Sequence, residues 1–285
     1  MTDFFILAGG FGKRAEPLTS RLPKPLFPLN GKPLLDLLAE QMNSAGLKKG
    51  FINVHHLAPL IMELPLTGLD VTFIEEERLS GNRILSECGN RTVNDLLVIN
   101  GDTFLDIPFD TLKEKIHRES FDGVILVRKK DGIYSSIISD RDIFIRRDKD
   151  PGASDLMYTG VSIFRNNFLS ELHEENLFDS LEISQARIGV IEYNGLWLDL
   201  GTPETYFLSD RDYREHKSIP RGNSLSKGVS ISGGAKVVNS IIWPDTKISG
   251  NAVISDSIVT GGLTIDSGVY DKKIISENGV TDLRV

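Results

Sequence analysis

An α/β fold is what this 285-residue sequence predicts: a Rossmann-like, mixed but mostly parallel sheet with helices on both faces, plus a short C-terminal left-handed β-helix. Three observations carry that expectation. Short, continuous apolar runs alternate with helical patterns in the first half of the chain. A glycine-rich stretch directly follows the first run. Beyond residue 217, helix signals vanish and branched apolar residues recur every six positions.

The apolar runs fall at residues 4–8, 51–54, 71–74, 96–99 and 124–127. Continuous rather than alternating hydrophobicity marks strands buried on both faces, as in a parallel sheet. Leu34, Leu35, Leu38, Met42 and Ala45 recur at helical spacing between Pro33 and Gly46, the expected punctuation of a helix. Asp110 is expected to cap a second helix running to Glu119. Residues 134–145 read as a hairpin or insertion, residues 158–164 resume strand character, and Pro203 opens a helix ending near His216. Alternating β and α segments imply a layered sheet with helices on both faces. A linker with Pro220 and Gly222 follows, so residues 1–217 are expected to form the main domain and 218–285 a small second one.

In that tail Ile242, Ile248 and Ile254 are six apart, as are Ile231 and Val237. A six-residue period of branched apolar residues, broken by Gly, Asn and Asp, fits stacked β-helix turns. Only about two to three turns fit, so the tail is expected to cover its open ends on the main domain or on a second copy.

Composition narrows the function. Apolar residues make up 40% and charged residues 25%, as in an ordinary globular protein. The formal charge of −8 argues against a broad electrostatic grip on nucleic acid. Cys88 is the single cysteine, so no intrachain disulfide forms, and it reads as a small buried hydrophobe. No apolar run approaches the roughly 20 residues of a membrane span. The start Met1-Thr2-Asp3-Phe4 lacks the basic region of a signal peptide. The expectation is a cytoplasmic protein with no nucleic-acid or membrane partner.

The strongest signal is Leu7-Ala8-Gly9-Gly10-Phe11-Gly12-Lys13-Arg14, continuing to Pro17-Leu18-Thr19 and Pro23-Lys24-Pro25. Glycines let the backbone turn sharply and approach a ligand, and their N–H groups can bind phosphate oxygens. Lys13, Arg14 and Lys24 add cations around the loop. No Gly-Lys-Ser/Thr follows, which excludes a Walker loop. Pro17 opposes the helix that a dinucleotide-binding glycine motif requires.

This stretch resembles the signature of the sugar-1-phosphate nucleotidylyltransferases, L-A-G-G-x-G-x-R-x-x-P-L-T followed by P-K-P. The resemblance implies that the stretch from Leu7 and Ala8 through Gly9, Gly10, Gly12 and Lys13 holds a nucleoside triphosphate. It further implies that Arg14 stabilises the transition state and Lys24 binds phosphate. The family usually has Thr-Arg-Leu where this chain has Lys13-Arg14-Ala15, a change that keeps the loop cationic. The resemblance spans roughly residues 1–210 in motif order.

Asn100-Gly101-Asp102 follows the run at 96–99, and Trp197-Leu198-Asp199 repeats an aspartate at an apolar strand end. Acids at the carboxyl ends of parallel strands lie where α/β sheets bind ligands. Mg²⁺ prefers hard oxygen ligands and is often held by one or two carboxylates plus substrate phosphates. Asp102 and Asp199 are the expected metal ligands, and the family has an aspartate in each place. The sugar 1-phosphate would attack the α-phosphorus in line while Arg14, Lys24 and Mg²⁺ stabilise charge. The adjacent pair His55-His56 points to opposite strand faces and reads as one packed and one exposed histidine, not a metal pair.

In the family a glutamate and a small-residue turn contact the base. The matching segment here runs from Glu75 through Ser80, Gly81, Asn82 and Arg83, with Ser80 and Gly81 as the expected contacts. Asn82 and Arg83 are bulkier than the family pattern. Thr159 and Gly160 resemble the family's sugar-side strand start. Lys149 lies near the usual E-K-P position, although the text here is Asp148-Lys149-Asp150-Pro151, and Glu182 is expected at the sugar hydroxyls. The tail is similar to those of mannose-1-phosphate guanylyltransferase-like proteins, which points to GTP with a mannose or heptose 1-phosphate, with uridylyl transfer as a further option. The alternative is a non-catalytic regulatory homologue that binds nucleotide sugar beside an active partner, motivated by Arg83 and the altered turn. An acyltransferase tail fits poorly, because no histidine follows His216 to act as base. Homo-oligomerisation through the β-helix is the expected assembly.

Overall fold

The computed structural model describes every residue except 82 and 173–175. Asn82, in the segment expected at the base, therefore lies outside the described residues. The chain forms two compact units. The first comprises Met1–Gly10, Ala39–Ala58 and Leu64–Trp197, and the second Phe11–Leu38, Pro59–Glu63 and Leu198–Val285.

A nine-stranded sheet organises the first unit, in the order Asp70–Glu75, Lys49–Val54, Thr2–Leu7, Asp95–Asn100, Leu156–Phe164, Gly123–Lys129, Ile188–Glu192, Ile143–Asp148 and Ser136–Asp140. Only Leu156–Phe164 and Ile143–Asp148 run against the others. The apolar runs become its central strands because both of their faces are covered. Phe4, Phe5, Leu96, Leu97, Val98, Ile99 and Val124 are fully buried. One cluster joins Phe5, Val98 and Ile125 to Cys88 and Phe168. Cys88 is fully buried, and burial pushes its thiol up to about 12, so it is packing material rather than a nucleophile.

Pro33 and Gly46 delimit a helix at Leu34–Ser44. Gly46 takes φ 74, its N–H donates to the Asn43 carbonyl, and Leu47 N–H donates to Met42. This pairing closes the last turn as a Schellman motif, which a left-handed glycine permits. The expected cap at Asp110 is corrected: the helix Phe109–Arg118 has Pro108 at its N-cap, and Asp110 lies inside the first turn. There a negative charge still favours the helix dipole without capping it. The insertion is a hairpin, Ser136–Asp140 with Ile143–Asp148, whose two turn residues Arg141 and Asp142 have φ 46 and 64. Two positive φ values in a two-residue loop match the twist of the strands they join.

In the second unit the tail winds through three short parallel sheets. Ser224 pairs with Ile241 and Ile241 with Ile258, and Ser230 pairs with Lys247 and Lys247 with Thr264. Each step is seventeen residues, so three six-residue segments make one coil with a corner residue dropped. The inward positions Ile242, Ile248, Ile254, Val259, Ile265 and Ile275 form one apolar core. At the last coil Gly279–Asp282 folds back antiparallel on Lys273–Ser276, covering a sheet edge that would otherwise invite pairing.

The tail is fixed to the helix Pro203–His216 and to residues 27–30 by an aromatic stack. Phe27, Tyr206 and Trp243 are fully buried, with Phe27 centroids 5.0 Å from Tyr206 and 5.1 Å from Trp243. Trp243 Nε1 donates to Tyr206 Oη (3.0 Å), which donates to the Pro28 carbonyl (2.8 Å). Beside the stack, buried Asp210 accepts from Asn30 N–H (2.6 Å) and Ser224 Oγ (2.9 Å) and faces Arg214 at 3.2 Å. Burial pushes the Asp210 carboxyl above the usual range, against the donors that hold it ionised.

Candidate functional site

The order of the first four strands creates a switch point. From Thr2–Leu7 the chain builds outward through Lys49–Val54 and Asp70–Glu75, then returns to the other side with Asp95–Asn100. Ligands of open α/β sheets bind at the carboxyl ends of strands beside such a reversal. Leu7 is in register with Asn100, and Gly101 N–H donates to the Leu7 carbonyl at 2.8 Å. Ala8-Gly9-Gly10 and Gly101-Asp102 therefore leave neighbouring strands side by side, with Asp102 half-buried.

A buried polar relay fixes the start of the glycine stretch. Ala8 N–H donates to Asn53 Oδ1 (2.8 Å), and Asn53 Nδ2 donates to Glu76 Oε2 (2.6 Å). Glu76 Oε1 accepts from both the N–H (2.9 Å) and the hydroxyl (2.6 Å) of Ser80. The start of the glycine stretch and the Ser80-Gly81 turn are thus one hydrogen-bonded object. Gly9 lies flat on it: a Cβ there would stand 3.0 Å from Asn53 Nδ2 and 3.1 Å from Leu79. At Gly10 a Cβ would meet nothing within 4 Å, so that glycine leaves room for a ligand rather than for packing. Asn53 and Glu76 were missed in the sequence; the available signal was a polar residue inside the apolar run at 51–54. Asn53→Leu is expected to cost about 1–3 kcal/mol in urea unfolding, because it orphans the Ala8 N–H and one Glu76 oxygen.

On the other side of Asp95–Asn100, Gly160 has φ 92 and a Cβ there would stand 3.0 Å from Asn100 Nδ2. The strand register shifts between Tyr158 and Ser162, a bulge of the kind that re-aims groups beside sites. The Thr159 hydroxyl donates to the Leu126 carbonyl (2.9 Å) and is buried, so it holds the sheet, while Gly160 lies at the bulge. Lys149 is exposed in the turn after the hairpin, and Glu182 accepts from the N–H of Arg147 (2.7 Å), two residues before it. His55 Nδ1 bonds the Glu76 carbonyl at 2.7 Å, which gives it a packing role.

The second unit carries Gly12, Lys13, Arg14, Lys24 and Asp199. Gly12 has φ 64, and a Cβ there would stand 2.6 Å from Thr19 and 3.2 Å from Lys24 Cε. The absent side chain is what lets the buried Lys24 stem lie along the loop. Lys13 and Arg14 are exposed in the short turn Lys13–Ala15, with Lys13 Nζ 5.7 Å from the Phe11 ring. Asp199 is half-buried, and Ser209 Oγ donates to its carbonyl at 3.2 Å. Three residues on, Thr202 opens the next helix with a capping box.

Among the described residues no group of three or more His, Cys, Asp or Glu side chains forms a metal cage. Asp102 and Asp199 are instead half-buried carboxylates at strand ends, a donor type that suits Mg²⁺ shared with substrate oxygens. Among the described residues no helix is long and apolar enough to cross a membrane. An open cavity of about 460 Å³ beside the relay is lined by both signs of charge, with Glu75, Glu76, Glu77 and Glu87 alongside Arg78 and Arg91.

Comparison with known proteins agrees with this architecture. Residues 4–132 match the family model described as nucleotidyl transferase. The chain is 26% identical over 302 residues to the mannose-1-phosphate guanylyltransferase of Mycobacterium tuberculosis, covering 93% of this chain and 83% of that one. It is 28% identical over 218 residues to the D-glycero-alpha-D-manno-heptose 1-phosphate guanylyltransferase of Campylobacter jejuni, covering 71% and 96%. Its fold is similar to the crystal structure of HddC from Yersinia pseudotuberculosis, which has also been solved complexed with GMP-PN. The TM-score is 0.64 at 21% identity, over 75% of this chain and 100% of that one.

Proposed function

We propose, for a chain that belongs to the sugar-1-phosphate nucleotidylyltransferase family, that it transfers a guanylyl group from GTP to a mannose- or heptose-type 1-phosphate. The observation that carries this reading is the junction of Leu7 with Asn100, which sets Ala8-Gly9-Gly10 beside Gly101-Asp102 at the switch point.

A phosphate oxygen of the sugar 1-phosphate forms a bond to the α-phosphorus of GTP. The bond from that phosphorus to the α–β bridging oxygen breaks, and pyrophosphate leaves with the electron pair. The nucleophile is already anionic, so no side chain has to remove a proton. The backbone N–H groups of Gly9 and Gly10 and the cations Lys13, Arg14 and Lys24 hold the triphosphate and the charge that moves onto pyrophosphate. Asp102 and Asp199 would hold Mg²⁺, which when bound neutralises phosphate charge and helps align the α-phosphate. Ser80 and Gly81 would border the base. Glutamates and arginines both line that side, and the lean to GTP rests on the guanylyltransferases that the chain is similar to. Gly160, Thr159, Lys149 and Glu182 would form the sugar side.

Residues 1–217 form the catalytic part in this reading, and 218–285 a tail that supports it. Val238 and Val269 are 60% and 78% exposed on one face of that tail, which suits a homo-oligomer. Light scattering is expected to show a species larger than 31.6 kDa.

Pyrophosphate release measured with four nucleoside triphosphates and a set of sugar 1-phosphates, in Mg²⁺, tests the reading. GTP with mannose or heptose 1-phosphate is expected to turn over fastest. Binding of nucleotide sugar without turnover of any pair would instead establish the regulatory alternative.

A further inference from the structure

We propose that Arg128, seated on Trp197, recognises the hydroxyls of the sugar ring and so sets sugar specificity; this rests on the nucleotidylyl-transfer reading above. Arg128 is the sixth residue of Gly123–Lys129, a strand that runs parallel to Thr2–Leu7, so it reaches the same carboxyl-end edge as Asp102. Two strand spacings separate it from Asp95–Asn100, with Leu156–Phe164 between. That is roughly 10 Å, about the reach of a pyranose ring from its own phosphate. A phosphate held near Asp102 would therefore bring its sugar over Gly160 toward Arg128.

The residues in between form a floor. The guanidinium of Arg128 lies 5.1 Å from the Trp197 ring centroid, and its Nη1 donates to Asp131 at 2.7 Å. Trp197 is itself pinned: Nε1 donates to the Thr159 carbonyl (2.8 Å), and Tyr134 meets it edge-on at 5.6 Å. That carbonyl immediately precedes Gly160, which packs closely on Asn100: a Cβ there would stand 3.0 Å from Asn100 Nδ2. The Arg128 side chain is 18% exposed and its partner Asp131 is 59% exposed, so the pair is fixed from beneath and open above. Aromatic faces suit the C–H faces of sugar rings, and a planar guanidinium presents paired donors to neighbouring oxygens. The Asp131 carboxylate beside it can accept hydrogen bonds from sugar hydroxyls. A guanidinium stacked in place loses less conformational freedom on binding than a loose one.

Arg128→Gln tests this through the affinities of GDP and GDP-mannose, measured by titration calorimetry. Loss of a charged hydrogen bond is worth about tenfold or more in affinity. The expected result is that GDP-mannose binding weakens by about tenfold while GDP binding is unchanged, with KM rising for mannose 1-phosphate and not for GTP. Equal loss for both ligands, or no loss for either, would overturn the proposal. If Arg128→Gln unfolds, the same ratio is read from Asp131→Asn, whose side chain is largely exposed. A wild-type protein that binds neither GDP nor GDP-mannose would instead remove the parent reading.

Discussion

Asp102→Asn is expected to lower kcat by about 100- to 1,000-fold, the scale of removing one electrostatic partner from a transition state. Asparagine keeps the shape of the side chain and removes its charge. Asp102 follows Gly101, whose N–H is bound to the Leu7 carbonyl, so its main chain is anchored at the strand junction. The thermal midpoint is therefore expected to stay put. Because the carboxylate is proposed to share Mg²⁺ with the triphosphate, the variant is also expected to need more Mg²⁺ for half-maximal rate. Stopped-assay kinetics across a Mg²⁺ series check both points. Normal turnover would remove Asp102 from the site.

The second large effect is on stability. Trp243→Ala is expected to cost about 3–5 kcal/mol, the usual range for deleting a fully buried large aromatic. Trp243 packs on Phe27 and donates to Tyr206, whose hydroxyl reaches Pro28. Removing the indole leaves a cavity and takes one partner from a buried phenol. The loss extends along the helix Pro203–His216, where Ser209 holds the carbonyl of Asp199. A tail substitution is thus expected to reduce turnover as well as the denaturation midpoint. Trp243→Phe, which refills most of the space, is expected to recover much of the stability and lose only the hydrogen bond. An unchanged midpoint in Trp243→Ala would mean that the tail contributes little to the unit it belongs to.

What the sequence revealed was what local physics determines. Pro33 and Gly46 bracket Leu34–Ser44 because proline and a left-handed glycine act on their own turns. Pro203–His216 was legible for the same reason. The six-residue period of Ile242, Ile248 and Ile254 was legible because each inward residue faces one shared core. Asp110 misled because the turn before it, Ile107-Pro108, starts the helix two residues earlier than an Asp cap would. Strand order was beyond reach: nothing in residues 156–164 announces that they lie between Asp95–Asn100 and Gly123–Lys129.

The candidate site divides along the same line. The glycine stretch and the two aspartates are contiguous motifs that single segments display. Asn53, Glu76 and Ser80 act together through side chains brought close by pairing of Lys49–Val54 with Asp70–Glu75 and by the turn after it. Arg128, Asp131 and Tyr134 are close in sequence, but Trp197 is brought to them only by the fold. The long-range links, Asn53 with Glu76 and Arg128 with Trp197, carry no spacing signature.

The most direct test of the central claim follows label through the reaction. The protein is incubated with Mg²⁺, mannose 1-phosphate or heptose 1-phosphate, and GTP labelled at either the α- or the γ-phosphate. Transfer through the glycine stretch and Asp102 predicts that α-label appears in the GDP-sugar and γ-label leaves only in pyrophosphate. γ-Label released as inorganic phosphate, with no α-label in a sugar product, would contradict it.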